Sequence, residues 1–318
     1  MSPDSALVEN PTPSKASVRP FLKWAGGKRQ LLPVLRHFYP QEFGKYCEPF
    51  VGSGAVFFDL YNQGLLSGRE SVLVDSNPDL IGCYSAIRDH VEAVIGELQR
   101  LAKEHARGGA DFFYEVRDRK FNPARQALTA AQGDRRYPCH LAAMLIYLNR
   151  TGFNGLFRLN GAGQFNVPAG RYTNPQICDS DNLRRVAEAL GGRVSLVRDS
   201  FERIGDMAEA GDFLYFDPPY APLSRTARFT AYTSNQFGSL EQQKLFNLAI
   251  GLARRKCHVV ISNSTAREIQ DLYDSSRSRQ AGLRPHRVQA KRAINSNGAL
   301  RGAVSEFVLA NTRTVVAT

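Results

Sequence analysis

Phe213-Leu214-Tyr215-Phe216-Asp217-Pro218-Pro219-Tyr220 sets an apolar, aromatic run against a carboxylate, two prolines and a further ring. A short run of this kind reads as a buried strand. Asp217 then stands at the strand's carboxyl end, where open α/β sheets place their ligands. Neither proline has an N–H to donate, so the ladder stops and the backbone is fixed. Pro-Pro after a strand also serves as a plain surface turn. An acidic acceptor, a carbonyl acceptor and an aromatic face nevertheless form the set that an exocyclic amine on a planar base requires, and the other motifs favour that chemistry.

Working outward, short apolar runs at Ser71–Asp75, Val194–Asp199, His258–Ser262 and Val304–Ala310 also read as strands. From Asp79, Leu80, Ile81, Tyr84, Ile87, Val91, Val94, Ile95, Leu98 and Leu101 recur at threes and fours, which predicts one long amphipathic helix. Ser239 with Gln242 predicts a capping-box start for another helix, through Leu245, Phe246, Leu248, Ala249 and Leu252. Strands alternating with helices predict an α/β fold with a mostly parallel sheet. The middle differs: Phe113 to Tyr172 holds nine Lys or Arg against three acids, with many Asn, Gly and aromatic residues. It reads as a helical insertion ending in a hairpin, with Leu156–Leu159 paired to Gln164–Val167 across Asn160-Gly161-Ala162-Gly163.

The 318 residues suffice for a large core, and a formal charge of +11 suggests a polyanionic partner. A basic balance by itself also suits a membrane surface or a ribosome. Five single Cys and six dispersed His show no metal-ligand spacing, which predicts reduced thiols, a cytosolic setting and no metal. Residues 1–18 lack an apolar block and read as a disordered lead-in rather than a signal peptide. No apolar run approaches the ~20 residues of a membrane helix.

Four further stretches carry chemistry. Phe21-Leu22-Lys23-Trp24-Ala25-Gly26-Gly27-Lys28 resembles a phosphate loop but fails its pattern, because Leu22 stands where the first Gly belongs and Arg29 follows Lys28. A Gly-Gly turn between the only Trp and a Lys suits an adenosine with a carboxylate-bearing tail; a core Trp and a solvated Lys are the alternative. Glu48-Pro49-Phe50-Val51-Gly52-Ser53-Gly54 reads as a strand-to-helix turn whose glycines let backbone N–H groups approach a ligand. Asp75, on the next strand end, is placed to hold a ribose diol, although Asp75-Ser76-Asn77-Pro78 is also a good helix cap. The third glycine of a dinucleotide fingerprint is missing, so NAD is not read here. Arg150-Thr151-Gly152-Phe153-Asn154-Gly155-Leu156-Phe157-Arg158, running on to Pro168 and Tyr172, offers Asn and Arg for base edges and Phe153 as a wedge. Arg284, Arg287, Lys291, Arg292 and Arg301, with no acid between them, form either a phosphate strip or a solvated loop.

Taken in order, Phe21–Lys28, Glu48–Gly54, Asp75 with Asn77, Asn149–Arg158, Phe165–Tyr172, Asp217–Ser224, Ser262-Asn263 and Ile294–Gly298 closely resemble the Dam-type (D12 class) DNA adenine-N6 methyltransferases. The resemblance spans most of the chain from Phe21 to about Asn311. It implies a Rossmann-like, S-adenosylmethionine (AdoMet)-dependent sheet with an inserted, mainly helical target-recognition domain carrying a β-hairpin. The expected boundaries are 19–78 with 178–318 for the catalytic domain and 79–177 for the insertion. Carried over, Trp24, Ala25, Gly26, Lys28, Phe50, Gly52, Asp75 and Asp217 line the AdoMet site. Asp217, Pro218, Pro219 and Tyr220 hold the target adenine. Lys23, Phe153, Asn154, Leu156, Arg158, Pro168 and Tyr172 contact double-stranded DNA, with GATC as the implied site. No membrane and no obligate protein partner are implied, and the setting is cytoplasmic, at the nucleoid.

Three departures stand out. Asn122–Pro138 is longer than the family's usual link, Phe153 occupies a position often held by Tyr, and Ala299 replaces the second Gly of a common Ser-Asn-Gly-Gly stretch. Asp-Pro-Pro-Tyr also serves cytosine N4, RNA adenine or a protein amide, and a repressor on an inactive scaffold would keep much of the same pattern.

Overall fold

A computed structural model describes residues 17–24, 26–130, 136–220, 237–291 and 303–312. Ala25, most of the lead-in, Ala221–Ser224, Arg292, Ile294–Gly298, Ala299 and Arg301 lie outside them.

Tyr46–Glu48 (β1), Ser71–Asp75 (β2), Val194–Arg198 (β3), Phe213–Phe216 (β4), His258–Ser264 (β5), Arg284–Lys291 (β6) and Ala303–Ala310 (β7) form a seven-stranded sheet. Its order is β3-β2-β1-β4-β5-β7-β6. The first five strands are parallel, while β7 runs antiparallel to both β5 and β6. Strand order reverses between β1 and β4, so a crevice opens at their carboxyl ends. The continuous apolar run of β4 has a simple cause. Phe213 and Tyr215 enter the core on one face, and Leu214 and Phe216 enter the core on the other.

Two strands were not expected as such from their own sequence. β1 is three residues long, too short for a period to show. β6 takes Arg284–Lys291, the stretch that read as a phosphate strip or a solvated loop. It is one of the two outer strands of the sheet, and an outer strand accepts both Pro285 and a polar side-chain pattern.

Among the helices of seven or more residues are Ala55–Asn62 (α1), Pro78–Tyr114 (α2), Asn122–Ala130 (α3), Cys139–Thr151 (α4), Ser180–Leu190 (α5), Ser239–Arg254 (α6) and Arg267–Tyr273 (α7). The cap of α2 is Asn77, whose side chain accepts from the N–H groups of Asp79 (3.0 Å) and Leu80 (3.3 Å), with Pro78 at the first helical position. The helix runs well past the expected stripe, bends at His90 and Gly109, and passes into a π-helical turn at Glu115–Phe121. The cap of α6 sits one residue earlier than the capping-box reading placed it. Gly238 is the cap, its N–H donates to Glu241 Oε2 (3.0 Å), and Ser239 instead bonds Glu268 (2.9 Å).

The basic middle region shares its core with the sheet. Leu80, Ile87 and Leu98 of α2 and Leu141, Leu145 and Leu148 of α4 belong to the same apolar cluster as Tyr46, Leu73 and Phe213. After α4 the chain does reverse, with Asn160 N–H donating to Gln164 O (2.8 Å) and Asn166 N–H donating to Arg158 O (3.1 Å). The expected ladder is reduced to isolated bridges, Leu159 with Phe165 and Gly152 with Ala169. Side chains do the remaining work: Asn122, reaching over from α3, donates to the Phe165 carbonyl (3.0 Å) and accepts from its N–H (2.8 Å). Among the described residues no helix is long and apolar enough to cross a membrane.

Candidate active site

The carboxyl ends of β1, β2 and β4 border a cavity of about 980 Å³. Every described residue expected at the cofactor lines it: Trp24, Gly26, Lys28, Phe50, Gly52, Asp75 and Asp217. Pro218, Pro219 and Tyr220 line it as well.

The turn after β1 depends on its glycines. Gly52 and Gly54 have φ of +47° and +66°, and a Cβ on Gly54 would lie 2.8 Å from the Tyr84 hydroxyl. Gly52 N–H donates to Asp75 Oδ2 (3.2 Å), and Asn77 N–H donates to Asp75 Oδ1 (2.9 Å). The two readings of Asp75 are therefore compatible in part: its carboxylate braces the start of α2, although Asn77 is the cap, and it stays on the cavity wall. Burial raises the Asp75 carboxyl above its ordinary value, against the pull of these backbone donors.

Lys28 is not a solvated lysine. Its side chain is 6% exposed, and its ammonium pairs with Asp217 Oδ1 at 2.7 Å. It also donates to the Gly26 carbonyl (2.8 Å) and lies 4.4 Å from the centre of the Tyr220 ring. Trp24 is only partly buried and stacks on Phe157 at 5.4 Å, which takes it out of the plain core reading.

Asp217 takes a second contact from Ser262, whose hydroxyl donates to Oδ1 (3.1 Å) and lies 2.9 Å from the Tyr215 hydroxyl. Burial raises the Asp217 carboxyl, and Lys28 and Ser262 oppose that rise. The loop behind it is held by Gln242, which donates to the Pro219 carbonyl (3.0 Å) and accepts from Asn263 (2.9 Å). Among the described residues no hydrogen bond engages the Pro218 carbonyl. In the sequence Gln242 reads only as part of a cap. A buried amide on the apolar face of α6 is the signal that would have found it.

Glu48 opens the glycine-turn motif, where the sequence assigns it no role. It is 2% exposed on the cavity floor, accepting from the Tyr46 hydroxyl (2.9 Å) and Phe57 N–H (3.2 Å). Burial raises its carboxyl to about 8. The folded state thus holds a proton that the unfolded chain releases near pH 4.5, so Glu48 costs stability progressively as pH rises from there towards about 8. Glu48→Gln keeps an acceptor for both donors and removes the titration. Its stability relative to the parent is expected to increase between about pH 5 and about pH 9, by on the order of a few kcal/mol, in paired denaturation curves.

The residues expected at DNA gather around the segment before Trp24. Lys23 Nζ lies 4.6 Å from the centre of the Tyr172 ring, and Phe153 N–H donates to the Pro168 carbonyl (2.9 Å). Phe153 and Tyr172 are large rings left 44% and 39% exposed. Asn154 takes a left-handed φ of 55°. Leu156 packs on the core, while Arg158 is exposed and braced through Nε by Asn166 Oδ1 (2.8 Å). Buried Asn149 ties the group together. It accepts from Lys23 N–H and donates to the carbonyls of Lys23 and Gly155, each at 2.8 Å.

Comparison with known proteins gives the same direction. The family model for the D12 class N6 adenine-specific DNA methyltransferases matches residues 24–294. A type II methyltransferase of Lactococcus lactis subsp. cremoris, M1.LlaDCHI, is 33% identical over 299 residues, covering 94% of this chain and 97% of its own length. The type II methyltransferase M.MjaIII of Methanocaldococcus jannaschii is 36% identical over 305 residues, covering 92% and 99%. The DNA adenine methylase of Escherichia coli is 34% identical over 293 residues, covering 91% and 94%. With the strand order, the Asp-Pro-Pro-Tyr loop and these matches in agreement, the chain belongs to the D12 class of N6 adenine-specific DNA methyltransferases.

Proposed function

We propose that this protein transfers a methyl group from AdoMet to N6 of an adenine everted from duplex DNA, within GATC, acting on the nucleoid in the cytoplasm. The observation that carries the reading is Asp217, half-buried at the end of β4 in the same cavity as the Gly52–Asp75 turn, with Pro218 and Tyr220 beside it. The lining suits the methyl donor: Asp75 for a ribose diol, Trp24 and Phe50 for apolar surface, and Lys28 for a carboxylate. When bound, AdoMet supplies a methyl group on a positively charged sulfur, which departs as a neutral thioether.

The protein's own part is positioning and electrostatics. Asp217 and the Pro218 carbonyl accept hydrogen bonds from the N6 amino group and draw its nitrogen towards tetrahedral geometry. Its lone pair then points at the methyl carbon; the N–C bond forms as the S–C bond breaks, and the nitrogen gives up one proton to water. Tyr220 stacks on the base, which leaves the duplex at a cost of a few kcal/mol. Residues 79–177 serve as the target-recognition part and 19–78 with 178–318 as the catalytic part, with Lys23 contributing to DNA contact from the catalytic side. GATC rests on the match of several of the residues Lys23, Phe153, Asn154, Leu156, Arg158, Pro168 and Tyr172 to family members that read it.

Incubation with unmethylated genomic DNA, hydrolysis and nucleoside analysis should yield N6-methyladenine, and single-molecule sequencing should place it in GATC. N4-methylcytosine, or no product, overturns the reaction; N6-methyladenine in another motif overturns the site alone. Arg158→Ala is expected to relax discrimination at one base pair by about 1–3 kcal/mol, because an exposed guanidinium with a braced Nε suits paired contacts to a guanine edge. A uniform loss across all sequences would make Arg158 a phosphate contact instead.

A further inference from the structure

Stacking on a base needs only the ring of Tyr220, and a phenylalanine would serve as well. The hydroxyl nevertheless has partners of its own, Ser262 among them. It donates to Glu306 Oε2 at 2.5 Å. Glu306 is the only acid in β7, whose sequence is otherwise apolar apart from Ser305, and its position in the sheet is specific. It lies opposite Ser264, the last residue of β5, so it stands at the carboxyl end of the strand that also supplies Ser262 to Asp217. Burial, Asp217 and Glu306 all raise the phenol well above its ordinary value, which keeps it a donor.

The tether fixes what the backbone alone leaves free. Pro218-Pro219 and the Gln242 bond hold the main chain before Tyr220, but rotation about the Cα–Cβ bond would still swing the ring. With the hydroxyl held by β7 and the Lys28 ammonium 4.4 Å from the ring centre, the ring is fixed at its tip and along its face. An ordered ring costs a partner base less to stack upon than one that must first be ordered.

We infer that Glu306 is a positioning residue for base eversion: by anchoring the Tyr220 hydroxyl it holds the ring as a preformed shelf for the extruded adenine. This rests on the eversion step of the proposed function.

The test reads eversion without AdoMet. Extruding an adenine leaves its partner thymine unpaired and open to permanganate, so the oxidation of that thymine is measured at saturating protein on a duplex carrying the motif the parent enzyme methylates. The parent should raise the reactivity. Glu306→Ala should cut that rise about tenfold, Glu306→Gln by less because a neutral acceptor keeps a weaker bond, and Tyr220→Phe by at least as much as Glu306→Ala, because it also removes the contact with Ser262. The double variant should lose no more than Tyr220→Phe alone, since the Glu306 bond is already gone in that single variant. Multiplying losses, a Tyr220→Phe variant with full reactivity, or a Glu306→Ala variant that only melts earlier, each overturn the role. A parent that methylates adenine without raising thymine reactivity overturns the shelf and leaves the reaction standing, whereas a parent that makes no N6-methyladenine removes the functional reading beneath it.

Discussion

Asp217→Ala is expected to lower the single-turnover rate of methyl transfer to duplex DNA by about 10³-fold, the scale on which removing one positioned electrostatic contact acts. The size follows from where the carboxylate sits. It stands half-buried at the end of β4, its side chain 19% exposed, and its rise in proton affinity is countered by an ammonium at 2.7 Å and a serine hydroxyl at 3.1 Å. Water taking its place would be an uncharged, unpositioned acceptor for N6. The variant also strands Lys28, and breaking a buried ion pair from one side is ordinarily destabilising. Here the ammonium keeps the Gly26 carbonyl (2.8 Å) and the Tyr220 ring, so the fold should persist. Asp217→Asn separates the two effects, because the amide oxygen can still accept from Ser262 and Lys28 while the negative charge is gone. Transfer measured with labelled AdoMet, beside a melting curve and a duplex-binding titration, should show lost turnover with retained binding. Turnover within tenfold of the parent in the alanine variant would remove Asp217 from the chemistry.

The parts of the fold legible in sequence are those where burial is one-sided in pattern or complete. β4 could be read because both of its faces are covered, and α2 because its apolar stripe repeats over many turns. β1 and β6 could not, the first through shortness and the second because an outer strand needs no apolar period. The hairpin after α4 was legible as a reversal but not as a set of bridges, since Asn122 substitutes for the ladder from a separate helix. At the site, the Asp-Pro-Pro-Tyr loop and the glycine turn were visible because their residue types are constrained by backbone geometry. The bonds that hold them were not. Lys28 with Asp217, Gln242 with Pro219 and Tyr220 with Glu306 are pairings between elements far apart in the chain, and no local pattern encodes a partner.

Asn149→Asp should be the most damaging change outside the chemistry, through a single atom. Asn149 is 2% exposed on the last turn of α4. Its oxygen accepts from Lys23 N–H, and its nitrogen donates to two carbonyls, those of Lys23 and Gly155. Aspartate keeps the first bond and turns the other two into contacts between oxygens. Each buried carbonyl left without a donor costs about 1–3 kcal/mol, so a loss of roughly 3 kcal/mol or more in global stability is expected from denaturant titration. The functional consequence is double because of what the two carbonyls anchor. Lys23 immediately precedes Trp24 on the cavity wall, and Gly155 follows Phe153 and Asn154. Room to relax is small, since even a Cβ on Gly155 would lie 2.5 Å from the Lys23 side chain. AdoMet affinity and duplex affinity should therefore weaken together in the folded fraction, although Asn149 reaches neither ligand. An unchanged denaturation midpoint, or weakening of one ligand with the other untouched, would show that the segment before Trp24 and the Phe153–Gly155 turn are held independently.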